Sequence, residues 1–124
     1  MGKWKKVPPK QVIVEKEQRF IYGRECYSLL KFYDEIERSL GLEGIPWGRN
    51  LYSLHLLLKG ELQLPPSIQI TLPFDFIIYD SHYAAAECSA WCDILSVLMH
   101  DECVKRGIEV KMKSKHKTNH DLLH

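Results

Sequence analysis

The strongest periodicity in the chain runs from residue 29 to residue 40. Leu29, Phe32, Tyr33, Ile36 and Leu40 recur at helical spacing, Ser28 precedes them and Gly41 follows. An N-cap, an apolar stripe and a glycine stop predict a helix over 29–40. Its other face carries Asp34, Glu35, Glu37 and Arg38 and reads as solvated. A second helix is predicted over 51–59, between Asn50 as N-cap and Gly60 as terminator. At 100° per residue, Leu51, Leu54 and Leu58 form one stripe, flanked by His55 and Leu57. Tyr52, Ser53 and Leu56 fall on the far side, with Leu56 almost opposite the stripe. A buried face does not account for them, so an aromatic ring and a leucine are expected to point away from the core.

Strand signals are shorter. Arg19–Gly23 reads as a strand stopped by glycine, and Gln11–Val14 as a short edge strand. Ser67–Leu72 alternates cleanly after Pro65-Pro66, which predicts a half-buried strand. Residues 73–83 are aromatic-rich, show no clear period and read as a connector. A long helix is expected from 84 to 106, with Trp91, Ile94, Leu95, Leu98 and Cys103 on its buried side and Gly107 as its stop. Ile108–Lys113 alternates again as the last strand. The order strand, helix, helix, strand, helix, strand predicts an α/β domain. Its core would be a small three-stranded parallel sheet packed with three to four helices, since parallel strands need crossovers. Residues 1–18 form a basic N-terminal extension, 19–113 the folded domain and 114–124 a polar tail expected to be mobile.

With 124 residues, 45% hydrophobic and 27% charged, the chain has the length and composition of one globular domain. The net charge of +1 hides a pattern. Residues 1–19 hold six basic and two acidic residues, and 111–124 hold four and one. Between them, 20–110 hold seven basic and 13 acidic residues. An acidic body suits a basic partner and disfavours direct nucleic-acid contact, with the basic ends acting as solubilising tails. No apolar run follows the charged start MGKWKKVPPK, and no window approaches a membrane span. A cytoplasmic protein without membrane contact is expected.

Candidate chemistry is sparse. Cys26, Cys88, Cys92 and Cys103 offer no second ligand pair for zinc, so free thiols and no metal or cofactor are expected. His116, His120 and His124 sit in the tail. His100, Asp101 and Glu102 are neighbours, but adjacent helical residues diverge by 100°. Cys103 falls on the buried side. No catalytic constellation emerges, which argues against an enzyme.

One stretch carries a resemblance. WGRNLYSLHLLLKG resembles the aromatic-Gly-x-Asn-Leu-Asp-x-Leu-x-Asp-x-Leu run of the barstar family, the intracellular inhibitors of barnase-type ribonucleases. Trp47, Gly48, Asn50, Leu51, Leu54, Leu58 and Gly60 fit that run. FIYGRECYSLLKFYDEIERSLGL resembles the family's first strand and helix, and ECVKRGIEVKM its last helix end and final strand, so the resemblance spans Arg19 to Lys113. It implies a barstar-like fold and an inhibitor that fills a ribonuclease cleft with acidic and aromatic groups imitating substrate phosphates. The family's two inhibitory aspartate positions are Tyr52 and Leu56 here. Pro46 stands before the motif's aromatic, where the best-known member has tyrosine, and Glu102 matches a glutamate of the last helix. Leu56 set against unpaired arginines would leave those charges uncompensated, at a cost on the order of several kcal/mol.

The expectation is therefore an immunity or antitoxin protein with a rebuilt interface. It would bind a protein toxin, a basic secreted nuclease, through Trp47, Tyr52, His55 and Leu56, with Glu43 and Glu102 at the rim. The alternative is a barstar-fold protein that has lost ribonuclease inhibition. Its Tyr52/Leu56 patch would then form a homodimer or be covered by residues 4–14.

Overall fold

The structure, a computed structural model, describes residues 16–114. The expected edge strand at 11–14, the three tail histidines and the mobile tail from 115 onward lie outside the described residues. In chain order the elements are β1 (Glu17–Tyr22), a 3-10 turn (Gly23–Glu25), α1 (Leu29–Leu40), α2 (Leu51–Lys59) and β2 (Phe74–Tyr79). They continue with α3 (Ser81–Glu87), α4 (Trp91–Leu98), α5 (Asp101–Lys105) and β3 (Ile108–Lys113). The strands form one parallel sheet in the order β1-β2-β3. Phe74 lies opposite both Glu17 and Ile108. This is the small three-stranded parallel α/β sheet packed with helices that the pattern predicts.

The caps explain why two helices end where expected. The Ser28 side chain accepts from Lys31 N–H, and that of Asn50 from Ser53 N–H. Gly41 and Gly60 close α1 and α2 with φ of +74° and +80°, a left-handed conformation that costs glycine little. One stripe of each helix enters a shared core with Ile21, Phe74, Phe76, Ile78 and Ile108 of the sheet.

Three expectations are corrected. Ser67–Leu72 is not a strand; it runs as turn and coil in the α2–β2 connection. Ile68, Ile70 and Leu72 pack half-buried against the core, so the alternation records one-sided burial without a ladder neighbour. The central strand is instead FDFIIY, inside the supposed connector, and every residue but Tyr79 is buried. A strand covered on both faces loses its alternation. The long helix is three pieces, interrupted at 88–90 and 99–100. In an unbroken helix Cys103 would sit about 140° round from Leu98. The break at His100 returns it to the interior, where both residues are fully buried.

The supposedly solvated face of α1 is also occupied. Glu35 is buried; its carboxylate accepts from Tyr22 N–H at 2.8 Å and pairs with Arg38 at 2.7 Å. Glu37 accepts from the Trp47 indole and from Arg49, each at 2.6 Å. These acids fasten the end of β1 and the α1–α2 loop to α1. The cysteines are free, and Cys92 is exposed while the other three are buried.

Candidate partner-binding surface

The α1–α2 loop sets the position of α2. Trp47 fills the gap between α1 and the loop, with its indole edge-on to Tyr33 at 5.5 Å and its N–H on Glu37. At 3% exposure it offers nothing to a partner, so the expected aromatic anchor holds the loop instead. An indole buried with its N–H satisfied gains its full apolar burial at no unpaired-donor cost. Arg49 adopts a left-handed φ of 45°, and its guanidinium reaches Glu37 and Asp34. Gly48 lies at φ +100°, where a Cβ would strike the Ser53 hydroxyl. The loop is thus tied to α1 on one side and packed tightly over the start of α2.

Leu54, Leu57 and Leu58 bury the inner face of α2. On the outer face Tyr52 is 71% exposed. Leu56 is half-buried and belongs neither to the core cluster nor to the side chains packed on it. Beside Tyr52 runs a shallow groove between α2 and the α4–α5 junction. Leu51, Tyr52, His55, Ser96, Val97 and His100 line it.

Two imidazoles meet in that groove, with ring centroids 4.6 Å apart and planes at 67°. His100 is the N-cap of α5, and its Nδ1 accepts from Glu102 N–H at 3.1 Å. In the neutral ring the proton therefore sits on Nε2. His55 is half-buried. Burial first, then the neighbouring His100 and Lys59, hold its imidazole below the usual histidine value, against the opposing pull of Glu61 and Glu102.

The expected site residues divide accordingly. Tyr52 and His55 come together, and Leu56 lies one turn beyond Tyr52 on the same helix. Glu102 is exposed at the first turn of α5, beyond the groove lining, with Lys105 Nζ at 3.6 Å. Glu43 is exposed on the α1–α2 loop, in the field of Arg38 and away from the groove. Among the described residues no carboxylate lines the groove. His100, Ser96 and Val97 were not expected here. They lie some forty residues from α2 in the chain, and no linear pattern joins them to it.

Among the described residues, no helix is long and apolar enough to cross a membrane, and no three histidine, cysteine or acidic side chains group as metal ligands. Cys103 is buried, its thiol donates to Val97 O at 3.5 Å, and burial pushes it up, away from the reactive thiolate. No protein-family model matches the chain, and no curated protein matches it.

Proposed function

We propose that this chain is a cytoplasmic inhibitor, an immunity or antitoxin protein of barstar type. It binds a protein toxin through α2 and the adjoining groove, and in the pattern of that family the toxin is a basic secreted ribonuclease. The parallel three-stranded sheet with two helices between β1 and β2 supports the reading, as does the capped helix carrying the motif-like run. The observation that carries it is Tyr52, 71% exposed on a helix held at both ends, beside a neutral groove. Tyrosine is a favoured interface anchor, and a pre-organised helix spends little binding energy on ordering.

The chemistry of this face differs from a phosphate mimic. Without acids it cannot neutralise a cluster of catalytic cations, so the partner presents an apolar or aromatic protrusion here and meets Glu102 and Glu43 only at the edge. The test uses the purified partner toxin, sought first as the product of the neighbouring reading frame. Tyr52→Ala should weaken its binding at least tenfold, the scale of ~1.4 kcal/mol or more, with unchanged thermal stability. Equal affinity of variant and wild type rejects this face.

The apolar character of the same surface, with Leu51, Tyr52 and Val97 in its lining, also favours a second reading: self-association about a two-fold axis. Sedimentation of wild type against Tyr52→Ala separates the two. A dimer that the substitution abolishes supports the second reading, and two monomers remove it.

A further inference from the structure

A different part of the molecule holds a cavity of about 140 Å³. It lies behind the C-terminal end of α2, under the 61–73 connector and against the start of β3. Its walls are Leu57 and Leu58 of α2, Leu62, Leu64 and Ile70 of the connector, and Ile108 of β3. Gly60 and Arg106 also contribute to the lining. We propose that this cavity binds a small monocarboxylate of about six carbons in all. The hydrocarbon would lie among the leucines, and the carboxylate would meet Arg106.

The size argument comes from the cavity itself. Apolar cavities near 150 Å³ stay dry and accept a benzene-sized guest. The volume here, 140 Å³, is similar and the inner wall is leucine and isoleucine, while the side where Gly60 and Arg106 stand is polar and open to solvent. The charge argument comes from the arginines. Arg19 pairs with Glu17, Arg24 with Asp80, Arg38 with Glu35, and Arg49 with Asp34 and Glu37. Among the described residues Arg106 alone meets no carboxylate. Its Nη1 donates to Leu58 O at 2.5 Å, capping α2, while Nε and Nη2 have no acceptor there. Arg106 is exposed, and that one bond to Leu58 O places its guanidinium at the cavity mouth with donors to spare. Gly60 makes room for it, because a Cβ at that position would come within 2.8 Å of Arg106 Cζ and Nη2. A guanidinium fork with open donors suits a carboxylate in geometry as well as charge.

The experiment is an NMR titration of the full chain, labelled at leucine and isoleucine methyls. Hexanoate is the probe, with hexan-1-ol and acetate as comparisons. Hexanoate should give saturable shifts at Leu62, Ile70 and Ile108, with a dissociation constant on the order of 1 mM or below. Hexan-1-ol should bind at least tenfold more weakly, and acetate should leave these methyls unmoved. In Arg106→Gln, which keeps a donor toward Leu58 O but no charge, acid and alcohol should bind alike. Equal binding of hexanoate and hexan-1-ol to wild type overturns the proposal. So does an absence of saturable shifts at these methyls, or their appearance elsewhere instead. If Arg106→Gln does not fold, the wild-type ratio of acid to alcohol decides alone.

Discussion

At the scale of single residues, His55 shows how this surface differs from a ring of acids. Burial, His100 and Lys59 hold its imidazole below the ordinary value, so the folded protein prefers the neutral ring. A depressed folded value means that the stabilising contribution is complete above the unfolded value near 6.5. It is lost as pH falls from there toward the folded value. Unfolding free energy should therefore drop between about pH 7 and pH 5, and drop less in His55→Gln. Denaturant titrations at the two pH values measure this, and an equal drop in wild type and variant would show that the surroundings do not disfavour the charged ring. Tyr52 and His55 were legible in the helical wheel of α2. Trp47 and Glu37 were not, because their hydrogen bond spans ten residues and depends on how the loop folds back on α1. A loop tryptophan looks the same in sequence whether it faces a partner or a carboxylate.

The elements that were legible are those with chemical punctuation. Ser28 and Gly41 bound α1, Asn50 and Gly60 bound α2, and Gly107 precedes β3. Asn50→Ala removes the acceptor for Ser53 N–H and should cost about 1 kcal/mol. For a domain of roughly 100 residues that is a fall in Tm of about 4–8 °C, readable by calorimetry. A loss below half a kilocalorie would mean that the tertiary seat of α2, not its cap, holds the first turn. The misread elements lack such marks. The breaks between α3, α4 and α5 fall at cysteine, serine, alanine, methionine and histidine, with no glycine or proline to signal them. β2 has Asp75 as its second residue, which argues against a buried strand until tertiary partners are known. Lys16 and Lys111 supply them, at 2.7 and 3.2 Å from the carboxylate. Burial alone would raise that carboxyl; the two lysines outweigh it and hold it below the usual range. A charge that would disqualify the strand by composition is compensated by side chains from β3 and from the residue before β1.

Across the whole molecule, net acidity and free acidity are different quantities. Residues 20–110 carry six more acids than bases, yet Asp34, Glu35, Glu37, Asp75 and Asp80 are all committed to internal ion pairs. Among the described residues no carboxylate lines the groove beside α2, and Glu61 and Glu102 act on His55 only from outside it. On the proposed reading the protein keeps the frame of a ribonuclease inhibitor and has exchanged its contact chemistry, which yields a test of frame and chemistry together. Wild type should leave a barnase-type ribonuclease uninhibited. Tyr52→Asp with Leu56→Asp places carboxylates at the two positions where the resembling family has them. The first substitution is on an exposed side chain, and the second on a half-buried one outside the core cluster. The double variant should therefore fold, lose the cognate toxin by tenfold or more, and gain measurable inhibition of the barnase-type enzyme. That gain should shrink as salt rises, since a basic cleft and an acidic face attract through a field that salt screens. Inhibition by wild type would show that acids on this helix are dispensable. A folded double variant without any gain would show that α2 does not occupy the inhibitory position, and the resemblance would then extend to architecture alone.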